Sequence, residues 1–503
     1  MVRLFAAAGL VASLSLLAAP GATSATPSSL TAAQIFQRAD AAEGTLAPGA
    51  YKIVVQSESG GLKRLRTSYL NGDDYVAREA GGPFVTADGS YRGRDWTQDE
   101  NGIVTFPSGF QSREDANARA LAHPEDPRNR VSVLGVDGTP ALLAVQLDPP
   151  DGDHEIRYYD PQTYLLARDV VDAKDGLTHV DVYNDYRRVF GRMRAFRHRY
   201  SDGRPENDYA SYILSFDRAP LPLPDMRPPA SRSLFTFSSN APIVLPARMT
   251  DGRIVVRVTI DGRGLDFGVD TGSSTMTINP DVAHELGLVA YDKTSSSLGG
   301  SYGVARTIVP EMRIGAARLT NVAFSQIAVD DATSDTKIVG LLGHDFFASG
   351  VFAIDFKRQL LTVYPPGTAP LADPALHQVA IETDDGVPRV PVTIAGVAGH
   401  LLLDTGAGNT VVYRHLYDQL PESTLQSGTW SLQLVGGTVK ALAYRVSDLT
   451  VGGLAFRPAD IVVPQSAIGE IPGYDGLLGR DLLHGLTVYL DYANDAAYFK
   501  QPA

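Results

Sequence analysis

Two short stretches decide how this chain is read: Leu265-Asp266-Phe267-Gly268-Val269-Asp270-Thr271-Gly272-Ser273-Ser274 and Leu401-Leu402-Leu403-Asp404-Thr405-Gly406-Ala407-Gly408. Each is a mostly apolar run that ends in Asp-Thr-Gly. Each passes into a helix-like stretch, 282–286 in the first case and 413–420 in the second. A strand that ends in this way makes a tight turn and projects a carboxylate from a rigid base. Glycine supplies a backbone conformation that a Cβ would oppose, and threonine offers a short hydroxyl that can brace the turn against its counterpart.

The similarity extends outward from the two turns. Gly299-Gly300 follows Asp270 by 29 residues, and Gly436-Gly437 follows Asp404 by 32. Ile314-Gly315 and Val451-Gly452 come at 44 and 47, and Gly340-Leu341-Leu342-Gly343 and Gly476-Leu477-Leu478-Gly479 begin at 70 and 72. Asp355 and Asp491 close the series at 85 and 87. Landmarks that keep their order with nearly constant offsets indicate internal duplication. Two such turns facing each other from sister lobes would bring Asp270 and Asp404 within hydrogen-bonding distance. Carboxylates that close cannot both ionise readily and share a proton. One can then act as base toward a water and the other as acid toward the attacked carbonyl. A single Asp-Thr-Gly is also an ordinary turn with an Asx contact; it is the second copy in register that favours the dyad.

On these motifs, residues 242–503 resemble the retropepsin and pepsin clan of aspartic proteases. Each half carries Asp-Thr-Gly and the later Leu-Leu-Gly element, Leu341-Leu342-Gly343 and Leu477-Leu478-Gly479. In the family that element packs under the catalytic turn. Both halves lie in one chain, as in pepsin, but each spans only about 120 residues, nearer to a retropepsin half. The resemblance implies a mainly β, two-lobed barrel fold with pseudo-twofold symmetry, lobes at 241–368 and 369–503, and catalytic Asp270 and Asp404. Thr271, Gly272, Ser273, Thr405, Gly406 and Ala407 are then the supporting turn residues. It also implies glycine-tipped hairpins over the cleft, with Gly299, Gly300, Tyr302, Gly436 and Gly437 as candidates for contact with substrate; plain hairpin turns are the other reading of these residues. Ser273 is expected to donate toward Asp270, which would leave the shared proton mainly near Asp404, since Ala407 has no hydroxyl to offer. His344-Asp345 and Arg480-Asp481, which follow the two Leu-Leu-Gly elements, are expected to be buried ion pairs.

The rest of the chain sets the context. At 503 residues it has room for about three domains. Residues 1–25 read as an export signal: Arg3, then an apolar run too short to span a bilayer, then small residues for cleavage. The mature protein is expected in the periplasm or outside the cell, with no integral membrane segment. There is no cysteine, which excludes disulfides, thiolate metal sites and thiol nucleophiles. The ten histidines show no metal-ligand spacing, and no cofactor or metal is expected. A net charge of −13 argues against a nucleic-acid partner, and a monomer acting on a peptide or protein substrate is expected.

Prolines 220, 222, 224, 228 and 229 mark a boundary, read as an extended linker over 217–240. Before it, residues 26–216 carry one amphipathic helix over 30–40, capped by Ser29 or Thr31, and then short strand-like runs. Turn signals punctuate them, among them Asn71-Gly72, Asp88-Gly89, Asn101-Gly102 and Asp202-Gly203. This predicts an antiparallel sheet with a helix. The stretch Tyr158-Tyr159-Asp160-Pro161 to Arg168, with Tyr183-Asn184-Asp185-Tyr186-Arg187 and Gly191, loosely resembles the LolA-like family of periplasmic lipoprotein-carrier domains. That resemblance implies an open half-barrel with an apolar concave face. The arginines at 187, 188, 192, 194, 197 and 199 are read as a solvated strand face balanced by nearby acids rather than as an anion site. The combined expectation is an exported aspartic endopeptidase whose N-terminal domain is an accessory binder or a covering pro-region. The alternatives are a protease-like fold without activity and a periplasmic carrier that grips an apolar ligand in its N-terminal domain.

Overall fold

A computed structural model describes residues 30–106, 113–150, 152–172, 177–250, 252–297, 301–328, 331–332, 336–384, 386–421, 425–434, 437–467, 470–471 and 473–501. The segment read as an export signal and the glycines 299, 300 and 436 lie outside these residues. No described helix is long and apolar enough to cross a membrane. The chain is mainly β and divides into two units. One comprises 1–97, 111–228 and 291–295; the other comprises 98–110, 229–290 and 296–503.

In the first unit the helix Ala32–Glu43 begins at Thr31, whose hydroxyl accepts from Gln34 while the Gln34 side chain accepts from the Thr31 backbone. Ile35 and Ala39 bury its apolar face against Leu143, Val145 and Tyr159. The strands form an antiparallel meander. Leu62–Asn71 pairs with Ala50–Ser59, which pairs with the last strand, Tyr209–Arg218. Alternation of buried and open residues along Leu62–Asn71 gives the period of a half-buried strand.

The covered face is apolar at one end, where Tyr51, Ile53, Leu70, Phe196 and Phe216 cluster. Under the helix it is apolar as well; between these patches it carries buried charge, which the apolar face implied by the carrier resemblance does not include. Arg64, Arg66, Glu155 and Asp169 are all buried. Arg66 reaches Asp88 at 2.6 Å and Arg64 reaches Asp292 at 2.5 Å, while burial pushes the Asp169 carboxyl up to about 7. Asp88-Gly89 is not a turn. It lies within the strand Phe84–Tyr91, where a Cβ on Gly89 would come within 2.7 Å of the Trp96 ring. The arginine-rich strands are partly balanced by acids: Arg187 and Arg192 meet Asp185 and Glu43 at 2.7 and 2.6 Å.

The second unit is built twice. In its first half Arg253–Ile260 and Arg263–Val269 form an antiparallel pair, and Val269 then lies parallel to Leu342 of Gly340–Leu342. In its second half Val387–Ile394 and Val397–Leu403 pair in the same way, and Leu403 lies parallel to Leu478 of Gly476–Leu478. Thr277–Ile278 and Val411–Val412 complete the matching set. The halves join through Val351–Asp355 against Thr487–Asp491, an antiparallel pair that links their sheets. One core runs through both, from Val256, Phe267 and Leu342 to Val390, Leu403 and Leu478. Leu234 and Phe235, within the proline-rich stretch read as linker, are buried in this core. Prolines kept the stretch out of the sheets, but its two large apolar side chains found a covered surface.

Candidate active site

The two Asp-Thr-Gly turns stand at the C-terminal ends of the strands Arg263–Val269 and Val397–Leu403. Each aspartate donates its backbone N–H to the Leu-Leu-Gly strand beneath it, Asp270 to Leu342 O and Asp404 to Leu478 O, both at 3.1 Å. This equivalence is the duplication expressed as geometry.

The threonines lock the turns together. The Thr271 N–H donates to Thr405 Oγ1 at 3.0 Å, and the Thr405 N–H donates to Thr271 Oγ1 at 2.9 Å. Each hydroxyl then donates across to the opposite strand, Thr271 Oγ1 to Leu403 O at 2.5 Å and Thr405 Oγ1 to Val269 O at 3.0 Å. Both threonines are buried. Four bonds in a closed ring pair the backbone N–H and the hydroxyl of each buried threonine.

Asp270 and Asp404 face each other across this ring and remain partly exposed. The glycines permit the approach. A Cβ on Gly272 would lie 2.6 Å from Asp404 Cγ, and one on Gly406 would lie 2.5 Å from Asp270 Oδ2. Backbone amides hold the carboxylates: Gly272 N–H donates to Asp270 Oδ1 at 2.8 Å, and Gly406 and Ala407 N–H donate to Asp404 Oδ1 at 2.7 and 2.9 Å. Burial, then the charge of Asp270, pushes Asp404 up to about 8; burial raises Asp270 as well. The pair is therefore one titrating unit that keeps a proton near neutral pH.

The Ser273 hydroxyl donates to Thr275 O at 2.8 Å. It is thus not the donor to Asp270 on which the expected split between the two aspartates was based. Ala407, which has no hydroxyl, donates its backbone N–H to Asp404 Oδ1 instead.

Around the dyad the halves differ. Arg480 is buried, with Nε and Nη1 unpaired, and burial lowers it to about 10. Asp481 is bonded by Thr410 rather than by Arg480, so the expected ion pair is not formed there. His344 Nδ1 lies 3.5 Å from Asp345 Oδ1. Of the hairpin candidates, Tyr302 is half-buried on Ser301–Ile314, and Gly437 opens the strand that pairs with Leu425–Leu434. Trp430, which the sequence reading did not single out, is 48% exposed on that hairpin.

A segment from before the proline-rich boundary also reaches this unit. Asn101 Nδ2 donates to Ala323 O and Asp345 Oδ2 at 3.2 and 2.7 Å, and Asn101 Oδ1 accepts from Ala323 N at 2.8 Å. Burial, then the charge of Asp345, pushes Asp99 up to about 8. Only the Asn101-Gly102 turn signal marked this place in the sequence.

The Aspartyl protease family model matches the chain twice, over residues 256–346 and 390–482. Each match contains one Asp-Thr-Gly and one Leu-Leu-Gly. No curated protein matches the chain. Among solved structures, the aspartic proteinase from Irpex lacteus is 12% identical over 52% of this chain and 98% of its own, with a TM-score of 0.36. A retropepsin-like aspartic protease from Rickettsia conorii is 18% identical over 25% of this chain and 90% of its own, with a TM-score of 0.20. A LolA superfamily protein from Nitrosomonas europaea is 11% identical over 39% of this chain and 96% of its own, with a TM-score of 0.28.

Proposed function

We propose that residues 241–503 act as an aspartic endopeptidase that hydrolyses peptide bonds with a water held between Asp270 and Asp404, and that the chain is exported by its segment 1–25. The reciprocal pairing of Thr271 with Thr405 carries the reading, because it is what keeps two raised carboxyls face to face. The ionised member of the pair takes a proton from the water as the water oxygen attacks the peptide carbon. The protonated member donates to the carbonyl oxygen. Collapse of the tetrahedral intermediate returns that proton to the pair and delivers the other to the leaving nitrogen, so the dyad ends as it began.

A substrate in extended form would pair by backbone hydrogen bonds with the hairpin strands Ser301–Ile314 and Gly437–Val446. Trp430 offers an apolar contact beside it. The carrier alternative calls for an apolar face in the first unit, where the buried Arg64, Arg66, Glu155 and Asp169 interrupt two apolar patches. Digestion of an unfolded polypeptide by the purified chain tests the proposal. Wild type is expected to cleave, and Asp270→Asn is expected to abolish cleavage while keeping the fold. Equal cleavage by both would refute it.

A further inference from the structure

In each half the Leu-Leu-Gly strand is followed by a basic residue and an aspartate, His344-Asp345 in the first and Arg480-Asp481 in the second. The second half is self-sufficient. Thr410 donates to Asp481 through its N–H at 3.0 Å and its hydroxyl at 2.7 Å, and Arg480 supplies a permanent cation. The first half has neither feature. Met276 stands where the second half has Thr410, and His344 stands in place of Arg480.

His344 is 5% exposed, and its ring nitrogens make no hydrogen bond among the described residues. The ring is packed edge-on against Tyr492 at 5.3 Å and closed in by Gly386, where a Cβ would come within 2.3 Å of Cγ. Its Nδ1 is turned toward Asp345. Residues 98–106 bring a second carboxylate into this corner. One ligand atom each from Asp99, His344 and Asp345 lie within 4.8 Å of one another.

A half-buried carboxylate facing a buried one needs a proton or a cation between them. A buried imidazole with no hydrogen bond, on the same side, makes the cation the better solution. One imidazole nitrogen and two carboxylate oxygens form a ligand set suited to Zn²⁺, with water in the fourth position. We propose that Asp99, His344 and Asp345 form a binding site for a divalent cation of the Zn²⁺ type. The outer shell is in place: Asn101 Nδ2 donates to Asp345 Oδ2 and Ile103 N–H donates to Asp99 Oδ1 at 2.8 Å. The ion ties residues 99–103 to the first lobe. Its role is structural, next to the catalytic turn but outside it, because His344 N–H donates to Ser273 O at 2.9 Å while none of the three ligands belongs to the dyad.

The full chain, stripped by a chelator, is titrated with ZnCl₂ by calorimetry and with CoCl₂ by visible absorption. Wild type is expected to take up one equivalent tightly, with the d–d bands of four-coordinate Co²⁺. Asp99→Asn keeps an acceptor for Ile103 and a polar partner for Asp345, so it is expected to fold and to bind about 10–100-fold more weakly. His344→Gln is expected to weaken binding similarly. Uptake unchanged by Asp99→Asn, which would place the metal on other histidines, overturns the site. So does the absence of saturable uptake by wild type, which would leave the carboxyls sharing a proton. Asp404→Asn is expected to bind metal as wild type does, so loss of cleavage and loss of uptake are separate results.

Discussion

Thr405 shows how much a single side chain carries here. Its hydroxyl accepts from Thr271 N–H and donates to Val269 O, both in a buried setting. Thr405→Val keeps the shape but leaves a backbone donor and a carbonyl unpaired. It is expected to destabilise by about 1–3 kcal/mol and to lower the cleavage rate more than it changes KM, as read from denaturant melts and steady-state kinetics. Asp404 gives a prediction with a definite sign. Its carboxyl is raised from the ordinary carboxylate range to about 8 by burial and by Asp270. The stabilisation that its protonated form provides is complete below about pH 4 and is lost as pH rises through about 8. Asp404→Asn cannot ionise, so its stability relative to wild type is expected to climb across that window. A constant difference between the two denaturation midpoints would contradict the assignment.

At the scale of elements, the strands were legible where their signal is local. Asp-Thr-Gly and Leu-Leu-Gly are short and repeated at nearly constant offsets, and both copies emerged as a strand end over a parallel partner. The helix over 30–40 emerged as Ala32–Glu43 with the Thr31 cap, because capping is also local. What the sequence hid was non-local. The Ser273 hydroxyl takes Thr275 O rather than Asp270, and that choice depends on how the chain bends after the glycine. Gly89 looked like a turn residue because the ring of Trp96, which excludes a side chain there, comes from a different strand. Asn101 meets Ala323 and Asp345 across 222 and 244 residues of chain, a distance over which no periodicity reaches. Gly476 belongs to the legible class and can be tested. With φ of 149° it sits where a Cβ would come within 2.0 Å of Val411 O. Gly476→Ala is expected to cost several kcal/mol, about 1–3 or more from overpacking alone, and to lower the melting temperature sharply.

At the scale of the whole chain, part of the proline-rich stretch belongs to the second unit. Leu234 and Phe235, each 4% exposed, lie in the core of the second unit although they sit within a proline-rich run. A chain truncated before Ala241 is therefore expected to be less stable than one truncated before Pro229, by about 3–5 kcal/mol for the lost phenylalanine alone, measured by chemical denaturation. Equal stability would mean that these side chains contribute nothing to the core. The two halves of the second unit give one chain both copies of the turn: each half supplies one acid, one threonine and one glycine that makes room for the opposite acid.

The central claim is that Asp270 and Asp404 share one proton and work as a pair. The pH dependence of the initial cleavage rate on an unfolded polypeptide, for wild type, Asp270→Asn and Asp404→Asn, tests it most directly. The account predicts a wild-type profile that falls on its alkaline side near about 8, where Asp404 gives up the shared proton, and no measurable cleavage by either variant at any pH. Cleavage by one variant at the wild-type rate, or a wild-type rate still rising above that pH, would contradict it.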